Sequence, residues 1–205
     1  MKHNLFSGVR LINPFFTMMI SFKPKAWLLP QPVLILGTYN PDGTPDAMNA
    51  AWGGQWDTNK IMISLGAHAT TENLKRSPIF SVAFANVDSL PAADFVGLVS
   101  ARKVPDKIAK TGWQTVPSDQ TEVPVFDVFP MTLICRVSEK IDESPTGCYL
   151  VAEIIDILCK EEFLADDGKP DVEKMRLITF DPIHNSYIEL GKKVGDAFSD
   201  GKTLM

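Results

Sequence analysis

Residues 32–52 read PVLILGTYNPDGTPDAMNAAW. The apolar run PVLILGTYN (32–40) meets PDGTP, where proline presets a turn angle and glycine admits positive φ. A second run, DAMNAAW (46–52), follows at once, so the stretch reads as an antiparallel hairpin. The pattern continues downstream. KIMISLG (60–66) and IFSVAFA (79–85) are further strands, and MTLICRVSEKI (131–141) with YLVAEIIDILCKEEF (149–163) makes a long hairpin about SPTG (144–147). TTENLKRS (70–77) is a short helix capped by Thr70 or Thr71, with Lys75 and Arg76 in its last turn. SLPAADFVGLVS (89–100) and VPDKIAKTG (104–112) are two more short helices, the first capped by Ser89 and the second stopped by Gly112. Residues 113–128, with Pro117 and Pro124, read as loop. Short strands adjacent in sequence and joined by turns predict an antiparallel barrel or sandwich with few, peripheral helices.

With 205 residues and 45% hydrophobic side chains, the chain can bury a core as one domain, 19–205, behind an N-terminal extension, 1–18. The extension holds Lys2 and Arg10 ahead of an apolar stretch, the outline of a signal peptide. Pro14 interrupts that stretch, no small-residue cleavage site follows, and Lys23 and Lys25 come directly after, so the expectation is a poorly ordered extension, with Met18 or Met19 as an alternative start. A net charge of −5 excludes the strong basic excess of a nucleic-acid binder. Three cysteines without CxxC spacing (Cys135, Cys148, Cys159) suit a reducing, cytoplasmic setting, and Cys135 and Cys159 read as core thiols. The three scattered histidines offer no local metal site, and GxGxxG, GxSxG and HExxH are all absent.

Three stretches can carry chemistry. AMNAAWGGQW (47–56) sets two tryptophans among alanines and glycines, where backbone can approach a flat ligand or where strands can simply pack closely. SLGAHATTENLKR (64–76) delivers Thr70, Thr71, Asn73 and His68 to a helix start, a place for a phosphate or an ordinary cap. SARKVPDKIAK (100–110) gathers Arg102, Lys103, Lys107 and Lys110 around one acid, Asp106, as an anion clamp or a solvated helix face.

VLILGTYNPDGTPDAMNAAWGG, ISLGAHATTENLKRSPIFSVAF, DFVGLVSARKVPDKIAKTG, FPMTLICRV and YIELGKKVGDAF, taken together over roughly residues 20 to 198, resemble the flavin reductase-like proteins, and in particular their flavoredoxin-type branch. The resemblance implies a six-stranded antiparallel Greek-key split β-barrel, a homodimer, and FMN held noncovalently near the dimer interface. It places the backbone of Met48, Asn49, Ala50, Ala51 and Trp52 against the isoalloxazine ring, and Thr70 on the phosphate with His68 and Asn73 nearby. Ser100 and Lys110 match phosphate contacts, and Tyr187 packs near the flavin or the partner subunit. Trp52 or Trp56 walls the pocket, with plain core the favoured reading of Trp56. Many relatives carry Arg where this chain has Gly-Ala-His-Ala (66–69), which shifts phosphate binding toward Thr70, His68 and the 100–110 island. The implied activity is oxidoreduction with NADH or NADPH as donor and no classical acid–base residue, since the flavin carries the chemistry. The alternatives are an electron-transfer protein reduced by a protein partner, or a non-enzymatic barrel binding flavin or haem.

Overall fold

The computed structural model describes residues 19–116 and 123–205; the expected extension 1–18 lies outside them, as do residues 117–122 of the expected loop. The strands are β1 (Gln31–Pro32), β2 (Leu34–Tyr39), β3 (Pro45–Ala50), β4 (Gly53–Asp57), β5 (Lys60–Gly66), β6 (Ile79–Phe84), β7 (Thr115–Val116), β8 (Val125–Phe126), β9 (Met131–Ser144), β10 (Gly147–Cys159), β11 (Ile178–Asp181) and β12 (Ser186–Glu189). The α-helices are α1 (Ala69–Arg76), α2 (Leu90–Leu98), α3 (Lys107–Thr111) and α4 (Val172–Met175). The main sheet runs β3-β2-β6-β9-β10-β5-β4, and every pairing in it is antiparallel. β7 and β8 make a short hairpin inside the stretch expected as loop.

The sequence expectation of one strand over 46–52 is corrected at Ala51–Trp52. Here the chain turns: β3 pairs with β2, while β4 leaves that edge and pairs with β5. The Ser64 N–H donates to the Trp52 carbonyl at 2.8 Å, stitching the turn to the far edge of the sheet. The segment 45–57 thus acts as one bent strand closing the barrel, and with it counted once the seven-stranded sheet has the expected six staves. Small residues make the bend possible: a Cβ on Gly53 would stand 3.0 Å from the Met62 carbonyl oxygen and 3.1 Å from Leu34.

Period-2 alternation then sorts side chains into two cores. Inside the barrel, Leu36, Met48, Ala50, Ile63, Phe80 and Leu150 pack together. Outside it, Ala47, Ala83, Ala93, Val96, Phe126 and Phe129 seat α2, Trp113 and β8 on the barrel wall. Trp113 meets Phe129 edge-on with ring centroids 4.9 Å apart. Cys135 is core, as expected, and burial pushes its thiol up to about 12, which keeps it protonated and inert. Cys159, expected in the core, ends β10 half-buried.

Candidate functional site

α1 begins where β5 ends. His68, not Thr70 or Thr71, is its N-cap, and its side chain makes no capping bond. Thr71 turns back instead and donates from Oγ1 to the Gly66 carbonyl at 2.6 Å. The N–H groups of a helix's first turn have no intrahelical partner, and His68, Ala69 and Thr70 at this helix start line a groove. Across the groove run the last turn of α2 and the segment 99–107 that follows it.

Three adjoining hollows make up this groove. The central one, about 200 Å³, is lined by Met48, His68, Thr70, Gly97, Ser100 and Lys107, among others. An outer one, about 600 Å³, shares Ala69 and Ala101 with it and adds Asn40, Asn73 and Arg102. A third, about 250 Å³, shares Asn49, Gly97 and Leu98 and adds Ala51, Asp94 and Tyr187. Gly97 and Asn49 form the saddle between the last two. A Cβ on Gly97 would lie 2.9 Å from the Asn49 Cβ, and the Asn49 amide donates to the Ala93 carbonyl at 3.2 Å, so α2 rests directly on β3.

Beneath the central hollow lies an ion pair out of water. Asp46 is 0% and Lys107 2% exposed, with the ammonium 2.8 Å from Oδ1. Thr70 donates from Oγ1 to the other carboxylate oxygen at 3.0 Å. Oδ1 receives no well-directed hydrogen bond, so its contact with Lys107 is one of charge. Lys107 also reaches the Val99 carbonyl at 3.4 Å. The triad Asp46–Lys107–Thr70 thereby ties β3, α3, α1 and the loop at Val99 to one point.

The structure brings most of the expected residues to the groove and sets others aside. Met48, Asn49, His68, Thr70 and Ser100 line the central hollow, Ala51 the third and Asn73 the outer one. Ala50 points into the barrel core. Trp52 and Trp56 lie together on a different surface, and Trp56 is half-exposed rather than core, because β4 is an edge strand whose outer face is left open by the described residues. Lys110 stands outside the groove, paired with Asp106 at 3.0 Å, and the buried cation of the 100–110 island is Lys107. Arg102 lines the outer hollow and has no ion-pair partner among the described residues.

Tyr187, on β12, donates to Asp94 at 2.6 Å across the third hollow. Burial, that hydrogen bond and the Asp94 charge push its phenol up to about 12. A raised phenol pKa favours the native state below the ordinary value near 10, and the contribution is lost as pH rises through 12. An ultraviolet phenolate titration of the native protein should therefore show one of the three tyrosines ionising late, with Tyr187→Phe abolishing that step and leaving the other two. If all three titrate together in the wild type, the Tyr187–Asp94 contact is not held in solution.

Comparisons with known proteins agree with this fold. The sequence profile described as "Flavin reductase like domain" matches residues 27–170. Flavoredoxin of Desulfovibrio vulgaris is 29% identical, superposes with a TM-score of 0.82, and is matched over 88% of this chain and 98% of its own. Flavoredoxin from Methanosarcina acetivorans is likewise 29% identical, with a TM-score of 0.81 over 91% of this chain and 99% of its own. The 2-nitrobenzoate 2-nitroreductase of Pseudomonas fluorescens shares the fold at 16% identity, with a TM-score of 0.74 over 84% of this chain and 87% of its own. No curated protein matches the sequence significantly.

Proposed function

This chain belongs to the flavin reductase-like domain family, and we propose that it binds FMN noncovalently in the groove and acts as an NAD(P)H-dependent oxidoreductase. The observation that carries the reading is one groove with two chemically different ends. At one end are the unpaired N–H groups of α1 with His68, Ser100 and Arg102, suited to a phosphate. At the other, the saddle of Gly97 and Asn49 brings backbone from two elements together without bulky side chains, suited to the edge of a planar ring. The outer hollow, about 600 Å³, is by itself in the range of small-molecule sites, and the two smaller ones, about 200 and 250 Å³, extend it.

A bound flavin itself supplies hydride acceptance and onward electron transfer. The chain's own residues bind and orient. The phosphate-facing donors fix one end, the buried Asp46–Lys107 pair holds the groove floor in place, and the backbone near Ala51 and Gly97 faces the ring edge. Thr70 contributes its backbone N–H, since its hydroxyl is engaged by Asp46. We further place the active form as a homodimer with FMN near the interface, in the cytoplasm, where the three free cysteines remain reduced. Among the described residues no helix is long and apolar enough to cross a membrane.

A second reading is favoured by the two matches at 29% identity, both named as flavoredoxins: an electron carrier reduced by a protein partner. An absorption spectrum before and after anaerobic NADH separates the two. Flavin bands that bleach support the nicotinamide-linked enzyme; bands that persist until a reduced protein donor is added support the carrier. A protein that takes up no FMN on incubation would overturn both. Arg102→Ala should raise the FMN dissociation constant by roughly ten- to a hundredfold, the loss of about 1.5–3 kcal/mol expected for a charged hydrogen bond. Lys110→Ala should change it little, because that ammonium is spent on Asp106 in the open.

A further inference from the structure

After β12 the chain continues as an arm. The Leu190 N–H donates to the Leu177 carbonyl, and the Lys193 N–H donates to Glu173 Oε1 at 2.9 Å. From Val194 onward the described hydrogen bonds stay within the arm: Asp196 N to Asp200, Ser199 N to Asp196, Lys202 N to Ser199 and Met205 N to Lys202. From Val194 onward its apolar side chains are almost wholly uncovered by the other described residues. Phe198 is 99% and Leu204 92% exposed, and Val194 and Met205 are fully so. Contiguous large apolar groups left in water mark an unmet interface.

The same chain carries an apolar hollow. Over β4 and β5, Trp52 and Trp56 stand 58% and 54% exposed, and with Leu28, Met62 and Tyr149 they wall a space of about 340 Å³. Its floor at Gly54 is bare; a Cβ there would meet nothing within 4 Å. Tryptophan and tyrosine are the side chains most often found at the centre of binding surfaces.

We propose that these two features meet in trans: the arm of one copy lays Val194 and Phe198 into the Trp52–Trp56 hollow of a second copy, and receives that copy's arm in return. The exchange is isologous, so one two-fold axis covers both apolar surfaces at once. A foreign partner filling the hollow would leave the arm bare. The arithmetic of size also fits. The 12 residues of the arm beyond Lys193 (194–205) and the 10 lining the hollow give 22 a side, within the roughly 20–30 of a stable interface. The inference rests on the dimer of the proposed function and assigns the surface that builds it; it needs no flavin.

The test is sedimentation of the full chain at micromolar concentration, beside Phe198→Asp and a chain ending at Lys193. The full chain should be a dimer, and both variants should dissociate with a constant raised roughly thirtyfold or more, the effect of a hot-spot side chain. Mixing Trp56→Cys with Phe198→Cys under oxidation should give a covalent dimer of the two chains, which decides the question even where the shortened chain folds poorly. A full chain that stays dimeric when Phe198 is charged, with no cross-link, overturns the arm and leaves the dimer standing on another face. A full chain that is monomeric overturns both, while its visible spectrum still decides the flavin reading independently.

Discussion

Lys107→Met destabilises the protein by about 3–5 kcal/mol, the loss expected when one partner of a buried ion pair is removed. The size follows from how little else serves Asp46. Thr70 satisfies one carboxylate oxygen, but Oδ1 has the Lys107 ammonium alone, at 2.8 Å, and receives no directed hydrogen bond. Without that ammonium a carboxylate with no exposed surface is left uncompensated in the barrel wall. The pair itself is not thereby a large source of stability, because both charges were taken out of water to form it. The double variant Asp46→Leu with Lys107→Met should therefore recover most of the loss. Urea unfolding of the wild type, both single variants and the double variant closes the cycle. A cost under about 1 kcal/mol for Lys107→Met would mean that water reaches the pair. The groove gives a second readout: since Asp46, Lys107 and Thr70 join β3, α3 and α1 at its floor, the double variant that regains stability should still hold flavin less well.

That pair was half-legible in the sequence. Strand parity puts Asp46 on the same face as Met48 and Ala50, which are barrel core, so an acid at the head of DAMNAA calls for a buried cation. Which cation answers was not legible, because Arg102, Lys103, Lys107 and Lys110 look alike along the chain and only the packing of α3 turns Lys107 inward. Long hairpins were plain because alternation and turn chemistry agree: 131–141 and 149–163 appear as β9 and β10. The bend at Ala51–Trp52 was hidden by the same small residues that permit it, since AMNAAW serves equally for a straight strand. Trp56 looked like core because tryptophan usually is, yet its strand lies at an edge, and edge position is a property of the whole sheet. The helix start at His68 was missed by two residues for a local reason: Thr71 spends its hydroxyl on Gly66, a bond to the preceding strand that composition does not reveal. The resemblance to a family carried the groove as a whole; individual side chains such as Lys110 depended on a surface ion pair that no motif encodes.

With the flavin ring at the saddle as proposed, Gly97→Val should weaken FMN binding by about one to two powers of ten while the barrel stays folded. Gly97 of α2 is set close against Asn49, and even a bare Cβ would stand 2.9 Å from the Asn49 Cβ. A β-branched side chain there must lift α2 off β3 or displace Asn49, which breaks the bond to Ala93 at 3.2 Å. Overpacking of this kind costs about 1–3 kcal/mol. The damage is local, because α2 sits on the outside of the barrel and the inner core of Leu36, Ile63, Phe80 and Leu150 does not touch it. Ligand binding suffers twice. The saddle between two hollows is filled, and the backbone on either side is no longer at the spacing the free groove presents; 1–3 kcal/mol of lost complementarity corresponds to about ten- to a hundredfold in affinity. Fluorescence titration of FMN against wild type, Gly97→Ala and Gly97→Val should give a graded loss, alanine between the other two, with unfolding midpoints shifting far less than for Lys107→Met. Equal affinities across the series would remove the ring from the saddle and confine any flavin to the two hollows on the His68 side, where Arg102 and Ser100 alone would set its strength.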